Sequence, residues 1–150
     1  MPANGVIFTF SFQKSFLETV QRYTLGKNER MKSRKQIELL FKEGKSFSIS
    51  PLRVYYTVQA LPIAHCSLLF GVAVGTRNFK KAVDRNRIKR LIREAWRLQK
   101  NELQQKLKQQ NKQLHVFFIF TGKEVPDYKL IAEKTGVALQ KLEQLSVQPT

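Results

Sequence analysis

One segment, from Lys80 to Arg97, constrains the fold of this chain most, because it predicts a single helix with two opposed faces. At about 100° per residue, one face gathers the apolar residues. These are Ile88, Leu91, Ile92, Ala95 and Trp96. The other face gathers cations and one amide: Arg85, Asn86, Lys89, Arg90, Arg93 and Arg97. The first face must pack against a core, so the second is left for solvent or for an anion.

The charge of this segment favours an anion. Between residues 77 and 100, ten Lys or Arg stand against two acids, which gives +8 of the net charge of +16. Four cations follow one another at a spacing of four: Arg85, Lys89, Arg93 and Arg97. Like charges at that spacing repel by about 0.2 to 0.5 kcal/mol per pair, and a helix selected only for solubility would mix the signs. We therefore expect a partner outside the chain to neutralise this face.

The composition indicates which kind of partner. With 27 basic and 11 acidic residues and a pI near 10.3, the chain is suited to a polyanion. Nucleic acid is the first candidate and an anionic membrane surface the second. A membrane-binding helix would carry aromatic residues on its lipid side, but Trp96, the only aromatic of the basic helix, lies on its apolar face. Nucleic acid is therefore favoured.

The cysteine content and the N-terminal sequence favour a cytoplasmic protein. Cys66 is the only cysteine, so no disulfide can form within the chain, and His65 and His115 lack the spacing that a zinc site needs. No apolar run reaches the roughly 18 residues of a membrane span, and the first residues lack the features of a signal peptide. We interpret the two histidines and the cysteine as structural residues.

The remaining patterns predict an α+β fold in one domain, with the order helix, three strands, helix, strand, helix. Ser33 and Gln36 form a capping-box pattern at the start of a helix over residues 34 to 43, which Gly44 ends. Residues 47 to 49 and 52 to 58 predict two short strands or one broken strand. Residues 67 to 74 predict a strand that is buried on both faces or central, and residues 114 to 120 another. A closing helix is expected over residues 128 to 145.

The domain is expected to span residues 25 to 146, with an extension over residues 1 to 24 and a tail over residues 147 to 150. Residues 27 to 35 hold five basic residues and one acid. This second cationic patch is either an RNA contact or a solvated approach to the first helix, and the sequence leaves both open.

The basic helix carries a recognisable signature. It reads Arg85, Asn86, two residues, Lys89, Arg90, two residues, Arg93, and it follows a strand and the triplet at residues 81 to 83. This signature, the element order and the length resemble the bacterial ribonuclease P protein subunit family. The resemblance covers about residues 25 to 145. It implies a small α/β sandwich in which the basic helix forms a left-handed crossover between two parallel strands, against the usual right-handed rule.

The resemblance also implies a function and its site residues. Family members bind a catalytic RNA and with it remove the 5′ leader of precursor tRNA, so the expected partners are that RNA and precursor tRNA, with no obligate protein partner. The implied RNA-binding residues are Arg77, Lys80, Lys81, Arg85, Asn86, Arg87, Lys89, Arg90, Arg93 and Arg97. The implied cleft for the leader contains Ile37, Phe41 and Tyr56, although core packing is the alternative for both aromatic residues.

The chain itself shows no constellation for catalysis. Its 11 acids form no close carboxylate cluster for two metal ions, so we expect catalysis in the RNA subunit and Mg²⁺ held by the RNA and the ribonucleoprotein. Three alternatives remain at this point. They are a noncatalytic ribosomal or RNA-assembly protein, a protein-only nuclease and a DNA-binding regulator.

Overall fold

The computed structural model describes residues 25–60 and 68–147. The predicted extension over residues 1 to 24, the connection that holds His65 and Cys66, and the last three residues lie outside the described residues. A short 3-10 turn at Lys27–Glu29 comes first. The helices and strands that follow are α1 (Arg34–Glu43), β1 (Lys45–Ile49), β2 (Leu52–Ala60), β3 (Leu68–Val74), α2 (Ala82–Gln99), α3 (Asn101–Gln109), β4 (Lys112–Phe120) and α4 (Tyr128–Val147).

The strands form one sheet in the order β1-β2-β4-β3. β1 pairs with β2 and β2 with β4 in antiparallel fashion, whereas β3 and β4 are parallel. Parallel neighbours need a crossover connection, and here α2 and α3 supply it. The predicted α+β fold and the place of the basic helix between two parallel strands are thus confirmed, while the hand of the crossover stays a prediction.

β3 is an edge strand of this sheet, so its apolar sequence reflects burial on both faces rather than a central position. Leu68 and Phe70 pack into the core on one face, and Leu69 and Ala73 pack against a second cluster on the other. The outer edge is partly covered, because the backbone N–H of Met31 donates to the Phe70 carbonyl oxygen at 2.8 Å.

The main core lies between one face of the sheet and the helices α2, α3 and α4. Trp96 is fully buried there and stacks on Phe70, with ring centroids 4.2 Å apart and an interplanar angle of 9°. It also meets Phe118 edge to face at 5.4 Å. Such aromatic pairs contribute about 0.5 to 1.5 kcal/mol each beyond the area they bury. These contacts set the rotation of α2 about its axis and thereby decide which of its side chains face outward.

The two predicted faces of the basic helix are present, with one difference. Ile88, Ile92 and Ala95 are fully buried beside Trp96, whereas Leu91 is only half-buried and lies outside the core clusters. The apolar stripe continues through Leu103 and Leu107, but in a separate helix, because α2 ends at Gln99 and α3 begins at Asn101.

α1 lies on the other face of the sheet and has the predicted bounds, but its ends differ from the prediction. Ser33 occupies the N-cap position, yet its side chain makes no capping hydrogen bond, so the predicted capping box is not formed. Gly44 ends the helix with a φ of −75°, which any residue can adopt. A Cβ at this position would lie 2.3 Å from the Leu40 carbonyl oxygen, so close approach, rather than a left-handed backbone, requires glycine.

Candidate nucleic-acid interface

All ten predicted RNA-binding residues are at least partly exposed, on α2 and on the loop that precedes it. We call these residues the cationic face. Its members are Arg77, Lys80, Lys81, Arg85, Asn86, Arg87, Lys89, Arg90, Arg93 and Arg97. The arrangement follows directly from the helix period, because burying the apolar stripe of α2 turns the remaining positions toward solvent. The structure therefore brings together the residues that the sequence singled out.

Arg85 has a contact within the protein that the sequence did not predict. The Nη1 atom of Arg85 donates to the carbonyl oxygens of Phe79 and Lys80, both at 2.8 Å. Phe79 is itself buried and packs on Phe120, with ring centroids 5.9 Å apart. Arg85 thus ties the loop before α2 to the helix and helps to position Lys80 and Lys81, besides adding its own charge to the surface.

A pocket of about 430 Å³ opens between α2 and the segment that precedes α1. We call it the arginine pocket. It is lined by Leu25, Arg30, Asn86, Arg90, Arg93, Glu94 and Arg97. Four guanidinium groups and one amide therefore meet in a concave site that also contains a single carboxylate. Arg30 belongs to the second cationic patch, and the sequence could not show which member of that patch would reach α2.

The carboxylate of Glu94 forms an ion pair with one of these arginines, Arg97. Arg97 donates from Nε to Glu94 Oε2 at 3.1 Å and from Nη2 to Oε1 at 2.5 Å. The hydrogen bond from Arg97 lowers the pKa of Glu94, and the same bond raises the pKa of Arg97. Both groups are therefore charged at neutral pH. Glu94 neutralises the charge of Arg97 more than it neutralises the charges of the other arginines in the pocket.

The other three arginines of the pocket carry net positive charge into it. Within residues 25–60 and 68–147, no carboxylate forms an ion pair with Arg30, Arg90 or Arg93. Burial and then the charge of Arg30 lower the pKa of Arg93. A guanidinium stays protonated in proteins even so, and the smaller of the two contributions is the repulsion between Arg30 and Arg93. An anion in the pocket would relieve that repulsion.

A second surface lies on the other side of the sheet, beside α1. Phe41 is 41% exposed and meets Tyr55 and Phe117 edge to face, with ring centroids at 4.8 and 5.2 Å. Ile37 is half-buried against the same cluster. We call these four residues the aromatic patch. The guanidinium of Arg53 lies 5.3 Å from the centre of the Tyr55 ring, so a cation borders the patch.

The predicted grouping of Tyr56 with Ile37 and Phe41 is wrong. Tyr56 is only 8% exposed and lies in the main core on the opposite sheet face, where it packs against Phe47. Burial raises its pKa. Successive strand residues point to opposite faces, so the neighbouring Tyr55 takes the place beside Phe41.

The described residues do not fit a resident metal site. No group of three or more His, Cys, Asp or Glu side chains within residues 25–60 and 68–147 is arranged to hold a metal ion. His115 is half-buried, and burial lowers its pKa, which keeps it neutral at pH 7. Among the same residues, no helix is long and apolar enough to cross a membrane.

A helix that presents Arg90 and Arg93 without carboxylate partners among the described residues, carried on a parallel crossover of a small α+β sheet, is typical of a nucleic-acid-binding protein. The family model described as Ribonuclease P matches residues 25–143 of the chain. The chain is 38% identical over 110 residues to a ribonuclease P protein component of Porphyromonas gingivalis, across 73% of this chain and 79% of that protein. It is 30% identical to the one of Chlorobium phaeobacteroides, across 74% and 82%.

Solved structures agree. The RNase P protein from Thermotoga maritima superposes with a TM-score of 0.58 at 28% identity, over 75% of this chain and 96% of that one. The Staphylococcus aureus RNase P protein, at 20% identity, shares the fold with a TM-score of 0.60, over 76% and 94%. The chain belongs to the ribonuclease P protein component family. It is a subunit of the ribonucleoprotein endoribonuclease that processes tRNA 5′ ends, and its partner is the ribonuclease P RNA.

Proposed function

We propose that the cationic face is the surface that binds the ribonuclease P RNA, and that the aromatic patch binds the 5′ leader of precursor tRNA. The observation that carries the first half is the arginine pocket, where Arg30, Arg90 and Arg93 lack a carboxylate partner among the described residues. Guanidinium groups match phosphate oxygens through paired N–H donors, and Asn86 adds an amide that can also accept from a 2′-hydroxyl.

The chemistry of the aromatic patch supports the second half. The ring of Phe41 packs against Tyr55 and Phe117, which limits its rotation, and its side chain stays exposed enough for a nucleobase to contact it. Stacking on an aromatic side chain tolerates any base, because every base has a π face. A surface of this kind suits leaders that differ in sequence. Arg53 beside Tyr55 offers a charge for the leader backbone.

In this proposal, catalysis is carried out by the RNA subunit and not by this chain alone. The described residues do not fit a metal site, so Mg²⁺ would be held by the RNA and the assembled ribonucleoprotein. The protein would contribute affinity and orientation for RNA phosphates and for the leader. A cytoplasmic location and the lack of an obligate protein partner belong to the same proposal.

The test is cleavage of a precursor tRNA that carries a 5′ leader, at low millimolar magnesium. Three reactions are compared: the protein alone, a bacterial ribonuclease P RNA alone, and both together. Stimulation in the mixture, with no cleavage by the protein alone, is the expected result. Cleavage by the protein alone would place an active site in this chain and overturn the proposal. Binding of the RNA without any stimulation would instead indicate a structural RNA-binding role.

A further inference from the structure

Arg30 lies outside the α2 signature, yet it lines the arginine pocket together with Arg90 and Arg93 of that helix. Its side chain comes from the segment before α1, which is far from α2 along the chain. The pocket thus has one wall from each segment. A phosphate in it would be bound from both sides, whereas a single helix offers a convex surface.

The backbone around Arg30 is held on both sides. Before it, the carboxylate of Glu29 accepts from Lys100 Nζ at 2.5 Å, from Gln104 Nε2 at 3.1 Å and from the Gly26 N–H at 2.7 Å. Lys100 is only 2% exposed and sits where α2 gives way to α3. After Arg30, the Met31 N–H donates to β3. These contacts fix the backbone at Arg30 in its place across from α2.

The arrangement is electrostatically costly without a ligand. Burial, and to a lesser extent the charge of Arg30, lowers the pKa of Arg93, and neither arginine has a carboxylate partner among the described residues. A segment that served only to cover the edge of β3 would be more stable with a neutral or acidic residue at this position, since like charges at short range destabilise the protein. The charge is therefore explained best by an anion that enters between the two walls.

We propose that the arginine pocket binds a phosphate group of the ribonuclease P RNA and that Arg30 is one of its direct ligands. The proposal rests on the proposed function and extends it to a residue outside the helix. The RNA subunit is the expected source of the phosphate because the pocket is continuous with the cationic face. The aromatic patch, where the leader is proposed to bind, lies across the sheet.

The primary test is the affinity of Arg30→Ala for a ribonuclease P RNA transcript, measured over a series of salt concentrations. We expect a loss of about tenfold and a salt slope reduced by about 1, because one phosphate contact is removed. Lys32→Ala is the matched control, since Lys32 is an exposed cation two residues away that does not line the pocket. It should lose less than about twofold, the size of a general charge effect. Equal losses in the two variants would overturn the proposal.

Two further measurements separate a ligand from a structural residue. Arg30→Ala should melt at the same or a higher temperature than the wild type in the absence of RNA, because a repulsion is removed. A lower melting temperature would instead indicate a structural role for Arg30 and would overturn the assignment. Arg30→Lys should retain the salt slope and recover only part of the affinity, because it restores the charge without the paired donors. Full recovery of the affinity would contradict direct binding through the guanidinium fork.

The failures of the two proposals are distinguishable. If Arg90→Ala and Arg93→Ala weaken RNA binding but Arg30→Ala does not, only the assignment of Arg30 fails. If none of the three variants weakens binding, the cationic face is not the RNA-binding surface. If Arg30→Ala weakens only the binding of precursor tRNA to the assembled enzyme, the phosphate belongs to the precursor, and the assignment to the RNA subunit is wrong.

Discussion

The cationic face and the aromatic patch lie on opposite sides of one sheet and differ in how they are built. The cationic face stands on a helix whose rotation is set by fully buried residues such as Trp96. Two of its arginines, Arg90 and Arg93, lack a carboxylate partner among the described residues. The aromatic patch has few charges and presents a ring that is partly exposed and partly packed. The first surface suits a long, highly charged partner, and the second suits individual unstacked bases. The two surfaces should therefore respond differently to salt and to truncation.

Salt should produce the largest effect and should act mainly on the cationic face. Affinity for the ribonuclease P RNA should fall on the order of 10³-fold between 50 and 200 mM salt, if about six phosphates are neutralised. Nucleobase stacking on the aromatic patch should change far less over the same range, since it depends on contact area rather than on charge. The measurement is equilibrium binding across a salt series, and a flat dependence for the RNA would contradict the account of the cationic face.

Removing two pocket arginines should give the next largest effect. Arg90→Ala and Arg93→Ala should each weaken RNA binding by about tenfold, and the double variant by about 100-fold, because each removes a charge-assisted contact. Both side chains are exposed, so the circular-dichroism spectrum should not change. Lys108→Ala, an exposed cation on α3 outside both surfaces, serves as the control. A collapsed spectrum would mean that the arginines are structural.

Truncating the aromatic patch should have a smaller effect that is confined to the leader. Phe41→Ala should weaken the binding of precursor tRNA to the assembled enzyme by about tenfold, the scale of one stacked base. Binding of a tRNA without a leader should not change, and neither should binding of the RNA subunit. Leu39→Ala is the matched control, because Leu39 is also an exposed apolar residue of α1 but lies outside the patch. A similar loss for leaderless tRNA would break the proposed division between the two surfaces.

A fall in pH should produce the smallest effect. It should act on the hydrogen bonds of Glu29, which hold the segment that carries Arg30 beside α2. Burial raises the pKa of Glu29, but the hydrogen bonds from Lys100 and Gly26 outweigh it, so the net shift is downward. A lowered pKa stabilises the fold above the ordinary value of about 4.5, and that stabilisation is lost as the pH falls below it. We expect a loss on the order of 1 kcal/mol in the free energy of unfolding between about pH 7 and pH 3.

Glu29→Gln is the variant that tests this assignment. It should be less stable than the wild type at neutral pH, because Lys100 loses its anionic partner, and it should lose less on acidification. The comparison is made by thermal or denaturant unfolding at both pH values. The pKa values of His115 and Glu94 are also lowered, but both groups titrate in both proteins, so their contributions cancel in the difference. An equal loss in the two proteins would show that the Glu29 carboxylate does not account for the acid sensitivity.

Local patterns were sufficient for much of the fold and for the cationic face. The bounds of α1 and the two sides of α2 follow from the spacing of apolar residues, which depends only on the helix period. The alternation of side chains along a strand places Tyr55 and Tyr56 on opposite faces of the sheet. It could not show which side of the sheet α1 covers, because that is decided by packing between distant segments. The wrong placement of Tyr56 has this origin.

The parts of the site that the sequence did not show all depend on contacts between distant segments. In the sequence, nothing distinguishes Arg30 from the other cations of its patch. Only the structure shows that it lies near Arg93. Lys100 reads as one more cation of the basic segment, yet it is buried because Glu29 is brought beside it. The hydrogen bonds of Arg85 depend on the path of the preceding loop. None of these contacts can be predicted from the periodic spacing of residues in the sequence.

The pairing of Met31 with Phe70 on the outer edge of β3 also bears on solubility. β3 is an apolar strand at the border of the sheet, and an uncovered border offers backbone donors and acceptors to a strand of another molecule. By occupying part of that border, the segment that carries Arg30 also guards the protein against edge-to-edge aggregation during assembly.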